Sequence, residues 1–202
     1  MSMEEYAKVA IGSVLGDGSL SPTTKRFGNS SIDISQHESK LPYLLWLYEK
    51  LGKGYALNKI YKKKGYNLYR FCSKPNNKLG KLREIFYSSD GKKIIPSNLK
   101  ELFKDPITLA VWYMDDGTLD KRHKYHFNSM IASYCFSFEE CEHICKVLFA
   151  NFSIKASVTK CMMRGKYYPR IYIRSESMER FINTIKPFVH PVFKYKIGES
   201  IL

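Results

Sequence analysis

Two stretches of this chain end in the same way, and that repetition constrains the fold more than any other feature of the sequence. Residues 10–20 read AIGSVLGDGSL and residues 109–119 read LAVWYMDDGTL, so each apolar run finishes on Asp-Gly, a small hydroxyl residue and leucine. Both runs favour a helix, and glycine after the carboxylate permits a tight exit from it. One such ending is typical of a helix stop, whereas two at matching places indicate a duplicated unit.

The duplication continues beyond these two motifs. Asp17 and Asp116 are 99 residues apart in the chain. Residues after the two motifs match at the same separation, and residues further on match at a separation of 100. The matched pairs are Asn29-Ser30 with Asn128-Ser129, Ile32 with Ile131, Gly65 with Gly165, and Arg70 with Arg170. We therefore expect two repeats, residues 1–104 and residues 105–202.

Each repeat is predicted to contain the same order of elements. After the motif helix come a loop and a strand, at residues 28–36 or 125–136, and then a helix at residues 39–51 or 137–149. A hairpin turning at a glycine follows, at residues 55–73 or 155–175, and a helix near residues 77–87 or 177–185 closes the unit. The order helix, strand, helix, hairpin, helix, given twice, predicts an α+β fold with antiparallel sheets.

The charge of the chain points to a polyanionic partner. Lys and Arg number 33 against 19 acidic residues, a formal net charge of +14, and the excess is spread between apolar segments rather than held in a tail. Such a field favours nucleic acid or an anionic membrane surface. No apolar run reaches the roughly 20 residues that a membrane span needs, and the first residues lack the order of a signal peptide, so we expect an intracellular protein and no membrane partner.

The cysteines predict reduced thiols. There are five, an odd number at irregular spacing, which argues against a disulfide framework. Cys141, His143 and Cys145 could form part of a zinc site. The same segment also fits an amphipathic helix in which both cysteines lie on or near the apolar face.

Alternation along the predicted strands places cations and phenols on one face of each sheet. In the last strand Ile171 and Ile173 point toward the core, and in the first hairpin Asn58, Ile60 and Lys62 take the phase opposite to the cationic one. The residues predicted to contact nucleic acid are Lys59, Tyr61, Lys63, Arg70, Arg170, Tyr172 and Arg174. A face of this kind fits the major groove, although a single strand of this pattern more often presents only a solvated polar face.

The two aspartates of the motifs predict a metal site. Gly12 and Gly16 lie on one face of the first helix and permit close approach of another helix. In the second motif the corresponding places of Gly12, Ser13 and Gly16 hold Val111, Trp112 and Asp115. If the two helices pack side by side, Asp17 and Asp116 lie close together. Two neighbouring carboxylates repel each other, and a hard divalent cation such as Mg²⁺ would neutralise them. The alternative is that both Asp-Gly pairs only end helices.

The motifs carry a resemblance to a known family. AIGSVLGDG and LAVWYMDDG resemble the two copies of the LAGLIDADG motif, and the chain resembles a monomeric, two-repeat LAGLIDADG homing endonuclease of the intron-encoded type. The likeness continues in KKIIPSNLKELF, CFSFEECEHICKVL and IYIRSESMERFINTIKPFVHPVFKYKIG. It implies a saddle of two antiparallel sheets over double-stranded DNA, motif helices at a pseudo-twofold interface, and staggered cleavage of both strands at a long site.

The resemblance also implies roles for particular residues. Asp17 and Asp116 match the metal ligands, for Mg²⁺ with Mn²⁺ or Ca²⁺ able to replace it in binding, and Gly16 and Asp115 match residues that give a backbone carbonyl or a secondary contact. The active-site lysines match Lys93 and Lys196, with Lys92 and Lys194 as the competing neighbours. The differences between the motifs at Ser13 and Trp112 imply that the pseudo-symmetry is imperfect.

Two other functions compete with cleavage of DNA. An RNA maturase acting on intron RNA, or a binder that does not cleave, would keep the basic sheets, but only the nuclease needs both motif aspartates. A nuclease built on a histidine base could use His123, His126 and Asn128, although their spacing lacks the surrounding ββα-metal pattern.

Overall fold

The computed structural model describes residues 3–121 and 127–199. Its helices are α1 (Glu5–Leu15), α2 (Leu41–Gly52), α3 (Asn77–Phe86), α4 (Leu99–Leu102), α5 (Pro106–Asp116), α6 (Phe138–Phe152) and α7 (Met178–Ile185). Its strands are β1 (Ser19–Leu20), β2 (Ile32–His37), β3 (Tyr61–Lys62), β4 (Leu68–Cys72), β5 (Gly117–Asp120), β6 (Asn128–Ala132), β7 (Ala156–Met163) and β8 (Lys166–Ile173). Short 3₁₀ helices cover Glu38–Lys40, Ser175–Ser177, Lys186–Phe188 and Pro191–Ile197.

The strands form two antiparallel sheets of the same topology. The first has the order β1-β2-β4-β3 and the second the order β5-β6-β8-β7, with every strand of the first sheet preceding α5 in the chain. The predicted α+β fold with antiparallel sheets is confirmed. The prediction missed one strand in each repeat, because β1 and β5 follow the motif aspartates within a residue or two and add an edge strand to each sheet where a loop was expected to begin.

Strand register corrects two of the matched pairs, Asn29-Ser30 with Asn128-Ser129 and Ile32 with Ile131, and supports the other two. Leu20 pairs with Ile32, whereas Leu119 pairs with Ser129 and Gly117 with Ile131. Relative to their motifs, Ser129 therefore takes the place of Ile32 and Ile131 that of Ile34, because 9 residues lie between Leu119 and its partner Ser129 and 11 lie between Leu20 and its partner Ile32.

The later matches agree with this corrected register. Arg70 pairs with Ser35 and Arg170 with Ala132, which are equivalent positions in the two sheets. Gly65 and Gly165 both occupy the left-handed region, with φ of 79° and 76°, as their hairpin turns require. The offset between equivalent residues is therefore 99 at the motifs, 97 between β2 and β6, and 100 between β4 and β8, so it changes twice along the chain.

The two motif helices form the centre of the core. Residues 107–114 of α5 are buried, and Trp112 and Tyr113 are fully enclosed. The helices pack so closely that a Cβ added at Gly12 would lie 2.7 Å from the carbonyl oxygen of Thr108 and 2.8 Å from the Cβ of Val111. The predicted close approach at this glycine is confirmed, with a bulky residue of the second motif filling the space that the first leaves open.

Local sequence explains where the helices of the second half begin. The carboxylate of Asp105 accepts the backbone N–H of Ile107 at 3.1 Å, and Pro106 stands at the first position of α5. In α6, Ser137 and Glu140 form a reciprocal capping box. Cys141 and Cys145 are buried on this helix, as its amphipathic pattern predicted. Among the described residues, the helices are all too short or too polar to cross a membrane.

Candidate active site

The ends of α1 and α5 bring three aspartates together. α1 ends at Leu15, so Asp17 lies beyond the helix and is exposed, whereas α5 continues through Asp115 and Asp116. The backbone of Gly16 is in contact with the side chain of Asp115 here, because a Cβ added at Gly16 would lie 2.6 Å from Oδ2 of Asp115. Convergence of the two motif ends follows directly from the close packing of the helices that carry them.

The side chain of Asp115 faces the first half of the chain. Its Oδ2 accepts the backbone N–H of Asp17 at 3.2 Å. Its Oδ1 accepts the hydroxyl of Tyr43 on α2 at 3.0 Å and lies 3.4 Å from the amide nitrogen of Gln36 on β2. The sequence predicted a backbone or secondary contact for Asp115, and the structure adds a side-chain link between the two motif ends.

The two predicted lysines approach the C-terminal ends of the motif helices. Nζ of Lys93 donates to the carbonyl of Gly16 at 2.7 Å, and Nζ of Lys196 donates to the carbonyl of Met114 at 2.6 Å. Such carbonyls attract cations because they carry the negative end of the helix dipole. The competing neighbour Lys92 instead pairs with Asp90 and has a side chain that is 81% exposed.

Each lysine is held in place by the element that carries it. Lys93 forms an isolated β-bridge with Tyr87, just after α3. Lys196 lies in the 3₁₀ helix Pro191–Ile197, where it is 7% exposed. A lysine is almost never buried to this extent without a partner, so Lys196 is fixed at the end of α5.

Burial sets the electrostatics of the site. Burial and then the charge of Asp17 raise the pKa of Asp116 to about 7, while Lys93 and Lys196 limit the rise. Burial followed by the charges of both neighbouring aspartates raises the pKa of Asp115 well above its usual value. Burial lowers the pKa of Lys196 to about 8, and it lowers the pKa of Lys93 as well. The two lysines therefore do not fully neutralise the aspartate carboxylates.

The donor set fits a hard divalent cation. Within residues 3–121 and 127–199 there is no group of three or more His, Cys, Asp or Glu side chains that closes around one metal position. Mg²⁺ needs no such cage, because it commonly uses one or two carboxylates and takes its other ligands from water and phosphate. A cation between Asp17 and Asp116 would relieve the repulsion that raises the pKa of Asp116.

Gln36 is a site residue that sequence reasoning missed. It is 4% exposed, and its Nε2 donates to Oδ2 of Asp17 at 2.9 Å. A signal was available, because Gln36 occupies the buried phase of β2 after Ile32 and Ile34, where a polar side chain requires a partner. Tyr43 gave no comparable signal, since an aromatic residue on a buried helix face is ordinary.

The polar and cationic face that the sequence predicts is present on both sheets, with one qualification, while its contact with nucleic acid stays a prediction. Ile171 and Ile173 are fully buried, so Arg170 and Tyr172 lie on the opposite face, and Arg174 is exposed at the end of β8. In the first sheet Lys59, Tyr61 and Lys63 are exposed, but only Tyr61 of these belongs to the two-residue strand β3.

Arg70 is the predicted contact whose charge is already engaged. Its guanidinium forms a bidentate ion pair with Asp33 on β2, with Nε 2.8 Å from Oδ1. The hydrogen bond to Asp33 is also the main reason that the pKa of Arg70 is raised. Arg170 in the other sheet is only partly exposed.

A cleft of about 610 Å³ opens beside Asp116. Its lining combines the carboxylates of Asp115, Asp116 and Glu199 with the ammonium groups of Lys121 and Lys196, so charges of both signs face the cleft. The alternative histidine site does not gain support: His123 and His126 lie outside the described residues. Asn128 is buried, and its Oδ1 accepts the hydroxyl of Ser175 at 2.8 Å.

Relatives of this chain include maturases and endonucleases. The chain is 28% identical over 206 residues to the cytochrome b mRNA maturase bI2 of Debaryomyces hansenii, covering 96% of this chain and 74% of the relative. The same maturase of Saccharomyces cerevisiae is 28% identical over 96% of this chain, which spans 47% of that relative. The intron-encoded endonuclease ai4 of Dictyostelium discoideum is 29% identical over 75% of this chain and 98% of its own length.

Solved structures share the fold. The homing endonuclease I-WcaI bound to its DNA recognition sequence superposes with a TM-score of 0.76 at 23% identity, covering 98% of this chain and 88% of that one. I-DmoI in complex with DNA and Ca gives a TM-score of 0.55 at 17% identity, over 90% of this chain and 89% of that one. The model of the LAGLIDADG DNA endonuclease family matches residues 7–181, and the chain therefore belongs to that family.

Proposed function

We propose that this protein is a site-specific endonuclease that cleaves both strands of DNA at a long recognition site with a divalent metal, Mg²⁺ above all. The observation that carries the proposal is the arrangement at the motif ends. Asp17 and Asp116 converge from two helices in contact, and a lysine reaches the end of each helix. A protein that only binds DNA has no need of this set of groups.

The residues of the site divide the chemistry between them. Asp17 and Asp116 would hold Mg²⁺, with the carbonyls of Gly16 and Asp115 as further oxygen donors. The bound cation supplies positive charge at the phosphodiester oxygens and lowers the pKa of an attacking water. Lys93 and Lys196 place ammonium groups where charge develops on the phosphate, in a site whose burial strengthens that interaction.

The two sheets support binding of a long duplex by one chain. We propose that residues 1–104 and residues 105–202 each cover one half-site, so that a monomer suffices. The face carrying Arg170, Tyr172 and Arg174 and the face carrying Tyr61 and Arg70 would supply the contacts. Promotion of intron or mobile-element homing, inside a bacterial cell or an organelle, is the corresponding biological role.

Cleavage of a randomised duplex library tests the proposal. The purified protein is incubated with Mg²⁺, with Ca²⁺ or with EDTA, and the ends produced are sequenced. One long motif with staggered ends, obtained only with Mg²⁺, is the expected result. The variant Asp17→Asn serves as the matched control, since it keeps the basic sheets and should give no double-strand ends. If the wild-type protein selects a sequence without cutting it, the proposal fails.

A second candidate function is that of an RNA maturase. It is favoured by the similarity to the cytochrome b mRNA maturase of Debaryomyces hansenii over 96% of this chain. Splicing of the intron that surrounds the coding sequence, measured with and without the protein, tests it. Acceleration by both the wild-type protein and Asp17→Asn would assign a maturase role that is independent of cleavage, and unchanged splicing would remove the candidate.

A further inference from the structure

The two halves hold their motif aspartates in different ways. Asp115 occupies the place in the second motif that Gly16 occupies in the first. Its carboxylate reaches across the helix pair and accepts the backbone N–H of Asp17 at 3.2 Å. Gly16 has no side chain, so the reverse link to Asp116 cannot form.

The two halves also differ at the second strand of each sheet, in the side chain at the position of Gln36. Leu20 pairs with Ile32 in the first sheet, and its motif counterpart Leu119 pairs with Ser129 in the second. Gln36 and Ser133 each lie four residues after these partners, so they are counterparts. Gln36 donates to Asp17 at 2.9 Å. The hydroxyl of Ser133 instead donates to the carbonyl of Ile131 at 3.2 Å. Among the described residues, Ser133 thus does not replace the amide that holds Asp17, and the side chain whose hydrogen bonding limits the rise in the pKa of Asp116 is Trp112, within its own helix.

The group that holds Asp17 is itself rigidly supported. Tyr43 donates its hydroxyl to Asp115 at 3.0 Å, and its ring is fully buried. That ring meets Phe193 edge to face at 4.8 Å and stacks on Trp46 at 5.8 Å. Asp115 is therefore fixed by groups from α2 and β2 while it fixes a backbone atom beyond α1.

We propose that Asp115 is a positioning residue that acts through Asp17, and that it thereby supports one of the two strand cuts more than the other. The inference rests on the proposed function for its catalytic half. Its physical basis is that a displacement of about 1 Å in a reacting group can cost on the order of 10²-fold in rate. Loss of the Asp115 carboxylate releases Asp17 and leaves the link between Lys196 and the end of α5 in place.

Amide hydrogen exchange of the metal-free protein tests the positioning contact without reference to cleavage. In Asp115→Ala, exchange at the Asp17 amide should accelerate, because its hydrogen-bond acceptor is gone. The neighbouring amide of Gly18 donates to the carbonyl of Ser13 at 2.7 Å and is the internal control. Asp115→Asn keeps an acceptor oxygen and should retain most of the protection. Equal exchange rates at Asp17 in wild type and Asp115→Ala would overturn the proposal.

Strand-resolved cleavage tests the catalytic consequence. With the two strands of a target duplex labelled separately, single-turnover rates give a ratio of the two cuts for each variant. Asp115→Ala should change that ratio by about tenfold or more, in keeping with a displaced reacting group, and nicked DNA should accumulate. Tyr43→Phe, which removes one support of Asp115, should change it in the same direction by less. Asp90→Asn, a carboxylate paired with Lys92 on the surface, should leave it unchanged.

The possible outcomes separate the two proposals. Unchanged ratios in Asp115→Ala and Tyr43→Phe, or equal slowing of both strands, would overturn the inference while leaving the endonuclease intact. If Asp115→Ala does not fold, Tyr43→Phe decides by the same ratio. If the wild-type protein cuts neither strand, the proposed function fails, and the exchange of the Asp17 amide still decides whether Asp115 holds it.

Discussion

Gly12→Ala is expected to destabilise the protein by disturbing the contact between the motif helices. The added Cβ would lie 2.7 Å from the carbonyl oxygen of Thr108 and 2.8 Å from the Cβ of Val111, where ordinary contacts begin at 3.4 Å. Neither atom lies at the end of a flexible side chain, so the helices must separate by several tenths of an ångström. Overpacking of this kind typically costs about 1–3 kcal/mol.

A matched control separates this effect from helix propensity. Replacing glycine by alanine inside a helix recovers up to about 1 kcal/mol, which partly offsets the clash. Gly52 at the end of α2 offers the same substitution with its nearest neighbour, Cδ1 of Leu57, at an ordinary 3.7 Å. Gly52→Ala should therefore be neutral or slightly stabilising, and the two variants should differ by about 1–3 kcal/mol.

Thermal and urea unfolding of both variants measure the difference. For a chain of 202 residues each kcal/mol shifts Tm by roughly 2–4 °C, so Gly12→Ala should melt about 2–12 °C below Gly52→Ala. Because the same separation moves Asp17 away from Asp116, cleavage by Gly12→Ala should fall more than its binding of DNA. Equal melting temperatures for the two variants would refute the close packing on which the site depends.

Three further predictions concern the charges around the site. Burial and Asp17 raise the pKa of Asp116 to about 7, so the folded state holds this proton more tightly than the unfolded chain, and the metal-free protein should lose stability as pH rises from about 4 to about 7. The decline should be smaller in Asp116→Asn. In the wild-type protein, the Mg²⁺ concentration for half-maximal cleavage should rise by up to about tenfold per pH unit below 7, because protons compete with the metal for Asp116. A Mg²⁺ requirement that does not change with pH would contradict the assignment of Asp116 as a metal ligand. Asp33→Asn frees Arg70, so binding to non-target DNA should tighten and its salt dependence should steepen by about one phosphate contact, whereas an identical slope would leave Arg70 without a role on DNA. Lys196→Met should lower the single-turnover rate by about 10²–10³ while Ca²⁺-supported binding is retained, and a rate near that of wild type would exclude the lysine from catalysis.

The parts of the fold that the sequence predicted are those with a local cause. Ile171 and Ile173 are buried because period-2 alternation is a property of the strand itself. Gly65 and Gly165 adopt positive φ because their hairpin turns require it. The close approach at Gly12 also followed from composition, since a helix with small residues on one face can admit another helix.

The parts that the sequence did not predict depend on tertiary contacts or on changes of register. Ile32 was matched to Ile131 because the offset was carried unchanged past the motifs, although 11 residues lie between Leu20 and its partner Ile32 and only 9 between Leu119 and its partner Ser129. β1 contains two residues, too few for a periodic signal. The hydrogen bond from Tyr43 to Asp115 joins residues 72 apart in the chain, and no sequence pattern within either helix predicts it.

The central claim is that Asp17 and Asp116 form one metal-dependent centre for cutting DNA. The most direct test compares wild type, Asp17→Asn and Asp116→Asn on the recovered target, with cleavage measured in Mg²⁺ and binding measured in Ca²⁺. The claim predicts that each variant loses double-strand cleavage and still binds the target, because the basic sheets are unchanged. Cleavage of both strands at the wild-type rate by either variant would contradict it.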